Sequence, residues 1–400
     1  MKTNPAVSFD NIAVAFAHKT DEALKETYAI FRFMHAPWLV KIGVWAMKVG
    51  FRWGLPIHTP VKNTLFRQFC GGETIEECAA TVKQLEKYGV DAVLDYALER
   101  KRDERSFVHT HGEILKTIEN AGKVGGGSFA VFKVSGIADT NLLTKVQEGK
   151  TLTNIESEKF QKAKERVMSL CEAAHQYNVG IMVDGEESWF QDVIDEMVYE
   201  AMEKFNKETA IVFNTFQLYR KDMLRLLKDA HHDAVAKGYF LGAKLVRGAY
   251  MDKERNRANE MSYPDPIQPN KAATDKDYDQ ALQFCINNKQ RVYLVSGSHN
   301  ENSNLILSEL VDLHGLSRSD KRVCFSQLYG MSDHISFNLA KAGYNVVKYL
   351  PYGPVQEVIP YLSRRAKENS SITGQTGREL KLIQQEIRRR KTLPQLPKIA

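Results

Sequence analysis

Eight short, β-rich apolar runs punctuate this chain, at residues 92–98, 129–135, 179–183, 210–218, 241–246, 291–295, 322–326 and 345–350. Amphipathic stretches such as 156–177 and 188–207 lie between most of them. That alternation calls for parallel strands joined by right-handed helical crossovers. From the first run to Gly353 is 262 residues, close to the ~250 of a (β/α)₈ barrel of the TIM type. A doubly wound open sheet uses the same alternation and is the competing architecture. With 43% hydrophobic residues among 400, the chain has ample material for such a core.

Three regions follow from this reading. Residues 1–90 form an N-terminal helical arm, with helices at 20–33, 38–54 and 74–88 broken at Pro37, Pro56 and Pro60. The barrel occupies 91–375, and 376–400 are a basic C-terminal helix and tail. Residues 256–277, polar and proline-containing, read as an insertion after the fifth strand, longer than an ordinary βα loop.

Several function classes fall away. Cys70, Cys78, Cys171, Cys285 and Cys324 are odd in number and form no C-x-x-C, which argues against a disulfide framework or a thiolate metal site and for a reducing compartment. Gly125–Gly127 does not fit a dinucleotide fingerprint, and there is no P-loop, H-E-x-x-H or G-x-S-x-G. His231 and His232 are neighbours in a helical stretch and point about 100° apart, so no metal is expected. The most apolar stretch, 38–55, is broken by Lys41, Lys48 and Arg52, which disfavours a spanning helix. Residues 1–19 have the pattern of neither a secretory nor a mitochondrial leader, so the expected location is cytoplasmic.

The net charge of +6 is too small for a dedicated nucleic-acid binder, but its placement is informative. Between Thr27 and Gly72 there are six cations, Arg32, Lys41, Lys48, Arg52, Lys62 and Arg67, and no Asp or Glu, so this segment holds the whole excess. Trp38, Ile42, Trp45, Val49 and Trp53 line one helical stripe within it. Such a stripe suits either an interfacial helix on anionic lipid or packing of the arm onto the barrel. Peripheral membrane association through 27–72 is therefore one expectation.

Catalytic groups in a barrel come from the C-terminal ends of strands. Those ends supply Asp95, Lys133, Asp184, Gly185, Glu186, Gln217, Lys244, Arg247, Gly248, Ala249, Ser298, His299, Gln327, Leu328 and Tyr349. In the helix after the eighth strand, Val355, Val358, Ile359, Leu362 and Ala366 make a buried stripe, and Tyr361, Arg364, Arg365 and Glu368 make a second. Adjacent arginines on one turn can grip a carboxylate or a phosphate.

Three motifs at strand ends, KLVRGAYMDKER (244–255), FSQLYGMSD (325–333) and KYLPYGPVQEVIPYLSRRAKEN (348–369), together resemble the proline dehydrogenases. The resemblance runs in order from Asp91 to about Asn369 and is to a monofunctional member, since no aldehyde-dehydrogenase half follows. It implies a distorted (β/α)₈ barrel carrying FAD. The implied reaction oxidises L-proline to Δ1-pyrroline-5-carboxylate by hydride transfer from C5 to flavin N5, and electrons pass to a membrane quinone from a protein peripheral on the inner face of the cytoplasmic membrane.

Carried over residue by residue, the resemblance implies that Arg364 and Arg365 clamp the substrate carboxylate with Lys133 nearby, and that Glu368 and Asp95 steady the guanidinium groups. Tyr349, Tyr361 and Leu328 would pack on the pyrrolidine ring. Asp184 matches the active-site aspartate, and Gly185, Gln217, Arg247, Gly248, Ala249, Ser298 and His299 match flavin-contacting positions. Where many bacterial members place an arginine facing flavin N5, this chain has Lys244, which can donate there but not as a fork. Two alternatives stand beside this reading: a 4-hydroxyproline oxidase, disfavoured by the bulk of Tyr349, and a Schiff-base aldolase using Lys133 or Lys244.

Overall fold

The computed structural model describes residues 7–96, 103–124, 129–371 and 375–392. Its strands are β1 (Asp91–Tyr96), β2 (Phe129–Phe132), β3 (Gly180–Val183), β4 (Val212–Gln217), β5 (Leu241–Val246), β6 (Val292–Gly297), β7 (Val323–Leu328) and β8 (Val346–Tyr352). All are parallel and close in sequence order. Closure is made by β1 against β8, in register from Asp91 opposite Val347 to Tyr96 opposite Tyr352. The fold is therefore a (β/α)₈ barrel, and the open sheet is excluded.

Burial on both faces explains why the strands read as continuous apolar runs: every residue of β4 and β8 is buried. Alternation then sorts the side chains. Val93, Val131, Met182, Phe213, Val295, Cys324, Val347 and Tyr349 share the barrel interior, while Ile181, Leu245 and Leu294 pack outward against the helical ring. All five cysteines are buried free thiols.

Before β1 come α1 (Ile12–Ala15), α2 (Asp21–Met34), α3 (Pro37–Arg52), α4 (His58–Val61), a π-turn at Lys62–Phe66, α5 (Arg67–Phe69) and α6 (Ile75–Glu86). The barrel helices are α7 (Glu104–Val124), α8 (Thr140–Gln147), α9 (Asn154–Gln176), α10 (Ser188–Phe205), α11 (Met223–Lys237), α12 (Met251–Met261), α13 (Lys271–Asn287), α14 (Glu301–Leu313), α15 (Asp333–Lys341) and α16 (Val355–Ser371), followed by α17 (Gln375–Thr392). Residues 393–400 lie outside the described residues. Side-chain caps fix several starts: Thr20 accepts the Ala23 N–H, and Thr153 forms a reciprocal capping box with Glu156.

The insertion read at residues 256–277 falls in the connection from β5, which ends at Val246, to α13, which begins at Lys271; this connection is longer than an ordinary βα loop and is partly helical, since α12 runs to Met261. The alternating charges of this stretch support helix on its solvated face, and Asn270 caps α13 by accepting the Ala273 N–H at 2.9 Å.

The arm packs through α2 and α3 onto α16 and α17, in one apolar cluster that includes Val40, Val44, Met47, Val358, Tyr361 and Leu362. At the barrel, Gln68 Nε2 donates to the Gly330 carbonyl at 2.9 Å. Gly330 has φ +77°, and a Cβ there would sit 1.9 Å from the Gln68 carbonyl oxygen, so only glycine fits. Helix α3 is apolar on two faces. Val40, Val44 and Met47 face the core, whereas Trp38, Ile42, Trp45 and Trp53 are 63%, 54%, 65% and 76% exposed. The stripe singled out in the sequence therefore does not pack on the barrel; only Val49 is half-buried. Among the described residues no helix is long and apolar enough to cross a membrane.

Candidate active site

Asp184 follows directly on β3, and its N–H donates to the Phe132 carbonyl at 2.9 Å, which holds the residue at the barrel mouth. Its two carboxylate oxygens take different lysines: Oδ2 accepts from Lys133, which follows β2, and Oδ1 accepts from Lys244 of β5 at 2.5 Å. Lys244 stands in register with the interior residue Val295, so it points inward. Its Nζ lies 4.5 Å from the centroid of the Tyr349 ring, a cation–π contact inside the mouth.

The electrostatics follow from burial and pairing. Burial by itself would raise the Asp184 carboxyl, but the ammonium groups of Lys133 and Lys244 outweigh it and hold the group well below the usual carboxylate range. Burial likewise opposes the charge on Lys133, yet Asp184 and Asp95 together raise its pKa. For the more deeply buried Lys244 desolvation wins over Asp184 and the pKa is lowered. Asp95 is raised by burial, with Lys133, Asp184, Lys244 and Arg364 all acting on it. One cluster of two carboxyl groups and two lysines thus unites four of the predicted residues.

Arg364 and Arg365 stand on α16. The charge of Arg364 acts on Asp95 of β1, and that of Arg365 on His299 past β6. The Arg365 guanidinium lies 5.3 Å from the Tyr361 ring centroid. The side chain of Glu368 lies outside the described residues.

His299 is half-buried and its pKa is pushed down to about 3, first by desolvation and then by Lys348 and Arg365, so the ring is neutral. Its Nε2 accepts from the Leu328 N–H at 3.4 Å and its Nδ1 lies 2.9 Å from Ser332 Oγ, which assigns the ring proton to Nδ1. Ser332 has φ +52° and donates its N–H to Glu379 of α17 at 2.8 Å. Leu328 stands in register with Tyr349.

At the ends of β4 and β5, Gln217 Nε2 donates to the Glu186 carbonyl at 2.6 Å. A Cβ on Gly185 would approach the Gln217 side chain to 3.0 Å. Gly248 has φ +128°, with the Tyr219 ring 2.4 Å from where a Cβ would be; Gly248 and Ala249 are exposed at the mouth. Arg247 is turned toward the helices, where Nε pairs with Asp275 at 2.6 Å and its two terminal nitrogens reach Ser298 and Ser303, each at 2.9 Å.

A model of the family described as Proline dehydrogenase matches residues 78–378. The chain belongs to the proline dehydrogenase family. Among relatives, "Proline dehydrogenase 1, mitochondrial" of Drosophila melanogaster is 37% identical over 78% of this chain, and the chain spans only 46% of that protein. The Carbapenem antibiotics biosynthesis protein CarD of Pectobacterium carotovorum subsp. carotovorum is 32% identical over 80% of this chain and 83% of its own. A Hydroxyproline dehydrogenase of Xenopus laevis is 30% identical over 96% and 90%. The chain spans about half the length of the fly and nematode relatives it matches. In fold it is similar to proline utilization A (PutA) from Bdellovibrio bacteriovorus, with a TM-score of 0.73, 18% identity, and coverage of 89% of this chain and 42% of that one.

Of three further groups in this proline dehydrogenase barrel, Glu186 stood among the strand-end candidates without an assigned task, and Glu254 and Lys348 were not among them. Glu186 is buried, accepts the Ser135 N–H at 2.8 Å, and is pushed up to about 7 by burial. Fully buried Glu254 receives both the N–H and the hydroxyl of Ser188 at 2.6 Å, pinning the loop that carries Asp184. Lys348 of β8 points outward, buried, and pairs with Asp333 at 2.8 Å; His18 reaches the other oxygen of Asp333 at 3.3 Å. The signal for Lys348 is a cation within an otherwise apolar run, which demands a buried partner.

Proposed function

We propose that the chain is an FAD-dependent dehydrogenase that oxidises L-proline to Δ1-pyrroline-5-carboxylate and passes the electrons to a membrane quinone. One observation carries this reading: Asp184 gathers Lys133 and Lys244 at the barrel mouth, with Lys244 against the Tyr349 ring, and Arg364 and Arg365 on the helix after β8 act on Asp95 and His299 of the same barrel end. A small amino acid with one carboxylate and an apolar ring fits that combination of cations and aromatic faces.

In this scheme Arg364 and Arg365 bind the carboxylate, each as a planar fork, and Lys133 adds a third positive charge. Tyr349, Tyr361 and Leu328 bear on the pyrrolidine ring and exclude water from C5. The amine gives its proton to solvent before the ring closes the site, and its lone pair assists departure of the hydride. Asp184 keeps Lys133 and Lys244 in position.

The donor set at the ends of β4 to β6 fits an acceptor-rich cofactor. Gln217, Lys244, Ser298 and neutral His299 would hold FAD, with Arg247 positioning Ser298 through its 2.9 Å hydrogen bond, and Gly185, Gly248 and Ala249 would leave backbone N–H groups open to it. Bound FAD supplies the two-electron acceptor for the hydride leaving C5. Regions 1–90, 91–375 and 376–400 serve as arm, catalytic barrel and C-terminal helix with tail. The exposed tryptophans of α3, flanked by exposed Lys41 and Arg52 in a segment without Asp or Glu, seat the protein on the anionic inner face of the cytoplasmic membrane.

The test is anaerobic addition of L-proline to purified protein. Bleaching of a bound-flavin band, reversed by a quinone, supports the reading; a protein that binds no flavin, or whose band is unmoved by L-proline, sinks it. Running 4-hydroxyproline alongside decides between the two substrates.

A further inference from the structure

Beneath α3 lies a cavity of about 220 Å³. Its walls come from the end of α2 (Phe33, Met34), the inner face of α3 (Val40, Val44, Met47) and the segment through α4 and the π-turn, with Pro60 and Thr64 exposed at its rim. The lining is apolar except for Thr64, whose hydroxyl already donates to the Pro60 carbonyl at 2.6 Å. Water in this open-mouthed pocket gains almost no polar partner from the walls, so its displacement by hydrocarbon is favourable. It is smaller than the ~300–1,000 Å³ of pockets that enclose a whole small molecule. A π-turn in its wall is a distortion of the kind that recurs at functional sites.

Two neighbours say which hydrocarbon. On the far side of the same helix, Trp38, Ile42, Trp45 and Trp53 face solvent. On the inner side, the wall residues Met34, Val40, Val44, Met47 and Val61 belong to the same apolar cluster as Tyr361, with Leu328 packed against it. The cavity is thus joined by continuous apolar packing to two side chains of the candidate active site, and it lies one helix away from the surface proposed to meet lipid. A molecule that lives in the bilayer and collects electrons in the barrel needs both.

We propose that this cavity holds part of the hydrocarbon tail of the quinone that reoxidises the enzyme. The inference rests on the reading that a membrane quinone is the acceptor.

The test uses the flavin-loaded full chain with L-proline and two acceptors, a benzoquinone carrying a decyl chain and the same ring without it. Gly43→Leu fills the space from α3, where a Cβ already comes within 3.3 Å of Phe33; Thr64→Phe blocks the exposed rim without burdening the core. Each variant is expected to raise KM for the decyl quinone about tenfold, as loss of about two buried methylenes would, with the tail-less quinone and anaerobic bleaching by L-proline unchanged. Equal effects on both quinones, or none on the decyl form in the folded Thr64→Phe protein, overturn the proposal. A wild-type protein that bleaches with L-proline but reduces neither quinone overturns the acceptor reading itself, and the tail site with it.

Discussion

Lys244 and Asp184 meet at 2.5 Å across the barrel mouth, although they stand on β5 and just past β3, 60 residues apart in sequence. The same carboxylate also holds Lys133, so a single anion pairs with two cations, one of them against an aromatic ring. A buried charge that has lost its partner is far more costly than a buried pair.

Asp184→Asn is accordingly expected to cost about 3–5 kcal/mol of stability, read as a lowered denaturant midpoint. Adding Lys244→Met to that variant removes one orphaned ammonium, and the double variant should be more stable than Asp184→Asn alone. Additive losses would show that the two residues are not coupled.

Arg365→Met removes one fork of the clamp. KM for L-proline should rise about 10- to 150-fold, the equivalent of one charge-assisted hydrogen bond of about 1.5–3 kcal/mol, while the protein keeps its flavin. Unchanged proline kinetics would count against the clamp.

Glu186 sets a pH dependence. Burial pushes its pKa up to about 7 from 4.5, so between those values the folded protein binds more protons than the unfolded chain. Its contribution to stability is therefore present at low pH and lost as pH rises toward 7, by about 1 kcal/mol per pH unit at most. Unfolding midpoints of Glu186→Gln, measured from pH 5 to 8, should fall less steeply than those of the parent.

Gly330→Ala forces a Cβ into the Gln68 carbonyl at φ +77°. The left-handed backbone alone costs about 1–3 kcal/mol. Because this contact ties the arm to the β7 loop, limited proteolysis should cleave the variant within the arm first. Cleavage confined to the barrel would contradict the role given to Gln68.

Trp45→Glu and Trp53→Glu place anions on the exposed face of α3. Sedimentation with anionic vesicles should weaken by about tenfold or more for the pair, with anaerobic bleaching unaltered. Binding as strong as the parent's would remove α3 from the membrane reading.

Much of the barrel was legible because parallel strands are buried on both faces and so write themselves as apolar runs: the boundaries of β5 agree, and the others differ by one to three residues. The long connection after β5 was legible in the polarity and prolines of 256–277, but the helix α12 within it was not, because a solvated helix face is as polar as a loop. On α3 the periodicity marked a stripe but could not say whether it faced core or solvent, since both flanks of the helix are apolar. Lys133, Asp184 and Lys244 each close a strand and were found that way. Lys348 escaped, although it too sits in an apolar run, because its partner Asp333 belongs to α15 and that pairing exists only once the ring has closed.

The contacts that fasten α17 have a consequence for the order in which the molecule is made. Arg390 donates to the carbonyls of Phe16 and Lys19 and pairs with Asp21, across some 370 residues of intervening chain. On the ribosome, α2 and α3 emerge before the barrel, and their docking surfaces on α16 and α17 emerge after it. The tryptophan-bearing arm must therefore wait, undocked and sticky on two faces, through synthesis of the entire barrel, and finds its place only after the strands that follow it have been made.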